Sequence, residues 1–239
     1  MILPKLFCPA DKAAAHKRER RKDARPGELL AAALDLFVEK GFAGTRAEEV
    51  AQRAGVSKGT LFLYFSSKEE LFKAVVRDSL SQRFPKWTAD LEAFEGSSAD
   101  MLRKCMLGWW SSVGDTKASG ISKLMISEAR NFPELSDFYR QDVIRPGNEL
   151  IRRILQRGVD RGEFACADLN LTVYSVLAPM LFLTIWKHSL GATTGDTPPL
   201  VPEDFLAAQA NIILHGICKA EGTAPLTPTT NSPTRKPVL

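Results

Sequence analysis

Apolar residues recur along this chain at three- and four-residue intervals, the signature of helices with one buried face. Leu30, Ala33, Leu34 and Phe37 mark a first helix, from Pro26 to Lys40, which Gly41 ends. Ala47, Val50, Ala51 and Ala54 mark a second, and Lys58 to Phe65 forms a third. Leu71, Phe72, Val75, Val76 and Leu80 mark a fourth, continuing toward Trp87 with a kink or break at Pro85. A helix over about 99–113 carries Met101, Leu102, Cys105, Met106, Trp109 and Trp110, and one over 117–130 carries Ile121, Leu124, Met125 and Ile126. Residues 134–161 follow, interrupted at Pro146-Gly147 and stopped by Gly162. Asp168 caps an apolar helix reaching His188, and GATTGDTPPLVP is a loop by its turn residues. The last helix, Glu203 to Ala220, sets Phe205, Leu206, Ile212, Ile213, Gly216 and Ile217 along one side. No segment sustains strand alternation, so the chain reads all-α.

The stretch Thr45 to Phe65, TRAEEVAQRAGVSKGTLFLYF, organises the N-terminal third. Thr45 and Glu48 have capping-box spacing, and Gly55 follows the second helix where a left-handed backbone is needed. Val56 is expected to be buried in the turn. Ser57 is an N-cap for the third helix, and Ser67 with Glu70 is a second capping box. Two short helices joined by a glycine-containing turn form a helix-turn-helix, whose second helix can enter the DNA major groove.

Over roughly Pro26 to Val76 the chain resembles the TetR/AcrR family of bacterial transcriptional regulators. The carrying residues are Gly41-Phe42, Thr45, Ala51, Ala54-Gly55-Val56-Ser57, Gly59-Thr60-Leu61, Tyr64-Phe65 and Lys68-Glu69-Glu70-Leu71. The resemblance implies an all-α fold: a three-helix helix-turn-helix DNA-binding domain and a larger helical ligand-binding and dimerisation domain, the fourth helix connecting them. The expected divisions are a basic mobile arm (1–25), the DNA-binding domain (26–72), the helical body (73–220) and a disordered, Pro/Thr-rich tail (221–239). The family commonly carries tyrosine where this chain has Phe62, so a phosphate contact through that hydroxyl is absent.

Charge placement adds to this picture. Lys12, Lys17, Arg18, Arg20, Arg21, Lys22 and Arg25 face only Glu19 and Asp23, a surplus larger than the whole chain's net +4. A basic arm beside a helix-turn-helix suits phosphate. Arg46, Ser57, Lys58, Gly59, Thr60, Leu61, Tyr64 and Lys68 are the candidate DNA contacts. Lys58 can meet a guanine edge or a phosphate, and Gly59 lets the backbone approach the duplex. Lys68 and Arg46 sit where helix N-termini add donors for phosphate. Within the same list, Leu61 packs more readily onto the preceding helix, as does Phe65.

The four cysteines lie far apart beside only three histidines, so neither a metal site, a disulfide framework nor a cofactor is expected. The start of the chain, MILPKLFCPADK, holds too short an apolar run for a signal peptide. Leu171 to Trp186 is an apolar run of 16 residues containing Pro179, short of the roughly 20 that cross a bilayer. A buried or dimer-forming helix is expected there, and a cytoplasmic protein. No nucleophile elbow or Gly-rich phosphate loop points to an enzyme. Met101, Trp109, Trp110, Met125, Phe132, Tyr139 and Trp186 are the candidates for an inducer pocket that the resemblance implies. The functional expectation is a repressor, a homodimer on palindromic double-stranded DNA, released by a small apolar or aromatic inducer in efflux or catabolic control. The alternative is a ligand-independent DNA-binding regulator or activator.

Overall fold

A computed structural model describes residues 10–191 and 199–217, with side chains described from Pro26 onward. Its α-helices, in chain order, are α1 (Ala10–Gly44), α2 (Ala47–Arg53), α3 (Lys58–Tyr64), α4 (Lys68–Ser79), α5 (Phe84–Glu92) and α6 (Ser98–Trp109), then α7 (Ser119–Glu128), α8 (Pro133–Tyr139), α9 (Arg145–Asp160), α10 (Leu169–Ile185) and α11 (Pro202–Ile217). Short π-helical turns follow α6, α8 and α10. No β-strand occurs among the described residues.

The chain forms two compact units, with dividing lines after Gln82, Thr116 and Asp142. The first unit therefore takes α1–α4 together with α7 and α8, and the second takes α5, α6 and α9–α11. This differs from a single division after residue 72: α7 and α8 pack with the N-terminal helices, on which the local sequence pattern is silent.

Two expectations about α1 are corrected. The helix begins at Ala10 and carries Pro26 inside it, so the segment read as a mobile arm is helical from that point. ADKAAAHKRERRKDAR consists mostly of good helix formers, and their summed propensity outweighs the hydrogen bond that proline removes. Residues 1–9 lie outside the described residues. The buried stripe is also rotated: Leu29, Ala32, Ala33, Leu36 and Phe37 are buried, while Leu30 and Leu34 are half-buried. Packing against both α4 and α7 shifts and widens the covered face.

At Gly41 the backbone takes φ +76°, which a residue with a side chain adopts only under strain, and the helix axis breaks there. The break delivers Phe42 into the core. Its ring packs on Phe37 at 5.7 Å, edge-on to Phe72 at 5.4 Å and edge-on to Phe132 at 4.7 Å. One side chain thus joins α1, α4 and the residue that caps α8.

The α4 stripe of Leu71, Phe72, Val75, Val76 and Leu80 is buried as expected. The helix stops at Leu80 rather than near Trp87, and Pro85 sits in the first turn of α5, where a missing N–H is tolerated.

The second unit is built around Met101, Leu102, Met106 and Trp110 of α6 and the following turn, Ile151, Ile154 and Leu155 of α9, and Val176, Met180 and Leu183 of α10. α11 completes it with Leu206, Ala210 and Leu214, whereas Ile212 points outward, against expectation. Ile126 of α7 is likewise exposed. Asp168 caps α10 by accepting from the Asn170 and Leu171 N–H groups. Pro179 does not interrupt that helix, and its π turn extends it. Leu169–Leu190 is therefore 22 residues long, enough by length and composition to cross a bilayer, which corrects the count made from the uninterrupted run. The segment 192–198 and the tail from 218 onward, read as loop and as disordered, lie outside the described residues.

Replacing Phe42 with alanine removes a ring packed on three others and is expected to lower stability by about 3–5 kcal/mol. Urea unfolding followed by far-UV circular dichroism measures it.

Candidate nucleic-acid interface

The helix-turn-helix is held from its ends. Thr45 was expected to cap α2, but the N-cap is Arg46, whose own N–H donates to Glu49 Oε2 in a long bond of 3.4 Å. The Thr45 hydroxyl instead turns back into the core. It lies 2.7 Å from the Gly41 carbonyl and 3.1 Å from that of Leu36, so it satisfies a helix terminus that the break leaves open. The Lys68 ammonium does the same from the other side, donating to the Phe42 and Thr45 carbonyls at 2.9 and 3.2 Å while lying 4.4 Å from the centre of the Phe42 ring. Thr45 and Lys68 thus close the end of α1.

Gly55, at φ +68°, makes the turn after α2, and Val56 is half-buried rather than buried. Ser57 caps α3 as expected: its Oγ accepts from the Thr60 N–H at 3.1 Å and contacts the Thr60 hydroxyl at 2.9 Å. The Ser67 hydroxyl accepts from the Glu70 N–H at 3.1 Å and opens α4 in the same way. Leu61 is fully buried, so its side chain cannot reach a ligand and anchors α3 instead.

The outer side of the motif carries Arg46, Ser57, Lys58, Gly59 and Tyr64, all exposed, with Thr60 half-buried. Two of the named cations are already engaged. Lys58 forms an ion pair with Glu48 and lies 5.8 Å from the centre of the Phe62 ring. The hydrogen bond from Lys58 is the main cause holding the Glu48 carboxyl below its usual range, helped by its own backbone N–H and the charges of Lys58 and Arg46. The Tyr64 hydroxyl has no hydrogen-bond partner among the described residues. Glu48 and the exposed Leu63 escaped the residue-level reading. Glu48 has the spacing of a capping residue, and an exposed leucine in a helix has the same local signature as a buried one.

The seven pocket candidates divide between the two units. Met125, Phe132 and Tyr139 belong to the first unit; Met101, Trp109, Trp110 and Trp186 belong to the second. Phe132 packs on Phe42, Met125 is buried, and the buried Tyr139 phenol, 2.9 Å from the Ser122 hydroxyl, is pushed up to about 12 by loss of solvent. Trp110 donates to Glu203 at 3.0 Å, and Trp186 stacks on Phe182. Met101, Trp110, Met125 and Tyr139 are buried in the cores, whereas Trp109, Phe132 and Trp186 are half-buried. An open cleft of about 340 Å³ in the second unit is lined by none of them but by Arg145, Asn148, Arg152 and Tyr174 among others.

α2 and α3, joined by the turn at Gly55 with one side of α3 open to solvent, form a helix-turn-helix of the class that binds DNA. Comparison with known proteins identifies its kind. The family description "bacterial regulatory proteins, tetR family" matches residues 29–75, and that of the "tetracyclin repressor-like, C-terminal domain" matches residues 95–196. The HTH-type transcriptional regulator YfiR of Bacillus subtilis is 32% identical over 148 residues, 61% of this chain and 71% of the relative. The HTH-type transcriptional repressor KstR2 of Mycolicibacterium smegmatis is 26% identical over 83% of this chain and 93% of its own. The solved structure of FadR from Bacillus subtilis, in complex with stearoyl-CoA, superposes with a TM-score of 0.62 at 16% identity, covering 79% of this chain and 97% of that one, a likeness of fold alone. The chain belongs to the TetR family of bacterial regulatory proteins. As a member of that family it is a DNA-binding transcriptional regulator.

Thr45→Val keeps the shape of the side chain and leaves the facing carbonyls without their donor. A loss of about 1–3 kcal/mol is expected, with Thr45→Ser retaining most of the stability, as read from thermal denaturation of the two variants.

Proposed function

We propose that the protein acts in the cytoplasm as a homodimer that seats two copies of α3 in successive major grooves of a palindromic operator and leaves it when a small apolar or aromatic molecule binds. The observation that carries the DNA half is the solvent-facing side of α3, where exposed side chains surround a helix whose buried face is a single leucine. Arg46, Ser57, Lys58, Thr60 and Tyr64 supply the polar contacts, and Gly59 admits the backbone. Lys68 holds the end of α1 and is not among them. In this reading the unit that holds the helix-turn-helix, with residues 117–142 packed into it, binds DNA, and the second unit is the ligand-binding and dimerisation body.

The dimer half rests on an apolar surface. Leu171, Tyr174, Leu181 and Phe182 of α10 and Ile212 of α11 are all exposed. A second copy covering that surface accounts for α10 better than a membrane does, because its other face is already built into the core with α9 and α11. Two related helix-turn-helices then read two half-sites spaced by helical turns.

The ligand class is proposed by analogy with the fold of a regulator solved with stearoyl-CoA, and the apolar interior of the second unit is compatible with it. Such a ligand shifts the protein off DNA only by binding the released conformation better than the bound one. Control of an efflux or catabolic function fits a ligand of that kind.

The test is binding of the full-length protein to DNA from its own upstream region over a salt series, repeated with small apolar compounds. Affinity should fall linearly with log salt, with a slope of about 0.9 for each phosphate neutralised. Glu48→Gln removes the carboxylate that competes for Lys58, so binding should tighten about three- to tenfold and the slope should steepen by nearly one such contact. Binding indifferent to salt and unaltered by Glu48→Gln would sink this interface. Leu171→Glu combined with Ile212→Glu should shift sedimentation to the monomer and abolish tight operator binding.

A further inference from the structure

Leu63 lies on the part of α3 that faces away from the protein. At about 100° per residue it sits roughly 160° around the helix from Leu61, the residue that anchors α3. Its side chain is 84% exposed, more than any other large apolar side chain among the described residues. Gly59, one turn earlier, shares that outward ridge and presents no side chain; a Cβ there would meet only Ser57 Oγ, at 3.8 Å. The ridge is flanked on one side by Lys58 and Phe62 and on the other by Thr60 and Tyr64. Of these, Lys58 is already neutralised by Glu48. What the centre of the ridge offers a partner is a bare backbone and an isobutyl group.

We propose that Leu63 is a specificity-determining residue that reads the C5-methyl group of a thymine in each operator half-site. Among base edges in the major groove, the thymine methyl is the apolar feature, and apolar side chains pack on it. Gly59 lets α3 lie close enough for Leu63 to reach the base edges past the phosphates. The exposed leucine and the methyl are then both removed from water on binding. This gives discrimination by a residue with no hydrogen-bonding group, complementing the polar contacts at the flanks. It rests on the DNA-binding reading and adds what that reading lacks: a base, and the atom of it that is sensed.

The experiment uses the full-length protein and the DNA it selects from a random pool. Each thymine of the selected site is replaced in turn by deoxyuridine, which lacks only the methyl, and affinity is measured for the wild type, Leu63→Ala and Leu63→Met. At one thymine per half-site the wild type should lose about fourfold on that replacement, the worth of one buried methyl group. Leu63→Ala should bind the unmodified site less tightly and be insensitive to deoxyuridine there, while Leu63→Met should keep most of the sensitivity. The exposed position predicts unchanged far-UV circular dichroism for both variants. Deoxyuridine effects that are the same in the wild type and Leu63→Ala at every position would overturn the assignment while leaving DNA binding intact. A wild type that selects no sequence would overturn the DNA-binding reading and this inference together.

Discussion

The closure of α1 around Phe42 is the contact on which the DNA-binding unit depends. Glycine at position 41 permits the break, the break points Phe42 inward, and the ring meets Phe37, Phe72 and Phe132. Breaking a helix leaves carbonyls without donors, and Thr45 and Lys68 supply them. Apolar packing and polar satisfaction occur within the same few residues, and neither stands without the other. An aromatic cluster with open carbonyls beside it would carry a desolvation cost larger than one hydrogen bond usually returns.

From that fixed point the recognition helix inherits its order. Seven residues are too few to hold a helix in water. α3 persists because Ser57 closes its start, Gly55 sets its entry and Leu61 pins it inward. Apart from Ser57, none of these uses the outer side of the helix, so the rest of that side can vary without loosening the frame. Lys58 pairs with Glu48 of the neighbouring helix, a contact that DNA phosphates would displace.

Much of this was legible in the sequence, and the failures have identifiable causes. Ser57, Asp168 and the α4 stripe were read correctly because caps and helical periodicity are local properties, and of the second capping box the Ser67 half forms while the Glu70 carboxylate pairs with Lys73. Thr45 was misread because its spacing to Glu48 satisfies the capping pattern, while its actual partners are the Gly41 and Leu36 carbonyls, four and nine residues earlier at the break in α1. Pro26 was read as a start because proline favours first turns, and the helix-forming run before it prevailed. Lys68 and the large apolar candidates share one ambiguity. A cation or a large aromatic has the same sequence signature whether it meets a ligand or finishes a core, and only the three-dimensional neighbours distinguish the two. The division of the chain was the hardest to foresee, since nothing within residues 117–142 announces that α7 and α8 pack with α1 and α4.

That discontinuity bears on how the molecule can be taken apart. The unit that carries the helix-turn-helix is assembled from two separated stretches of chain, so a fragment ending near Gln82 is not a domain. It would lack Phe132 against Phe42, and the Arg77 guanidinium would lose both the Phe138 ring, 4.9 Å away, and the Asp142 carboxylate. The flank of α1 that α7 covers would be bare as well. Such a piece would carry an uncovered sticky surface, prone to self-association. Swapping this head onto another regulator's body would therefore require grafting residues 117–142 along with it.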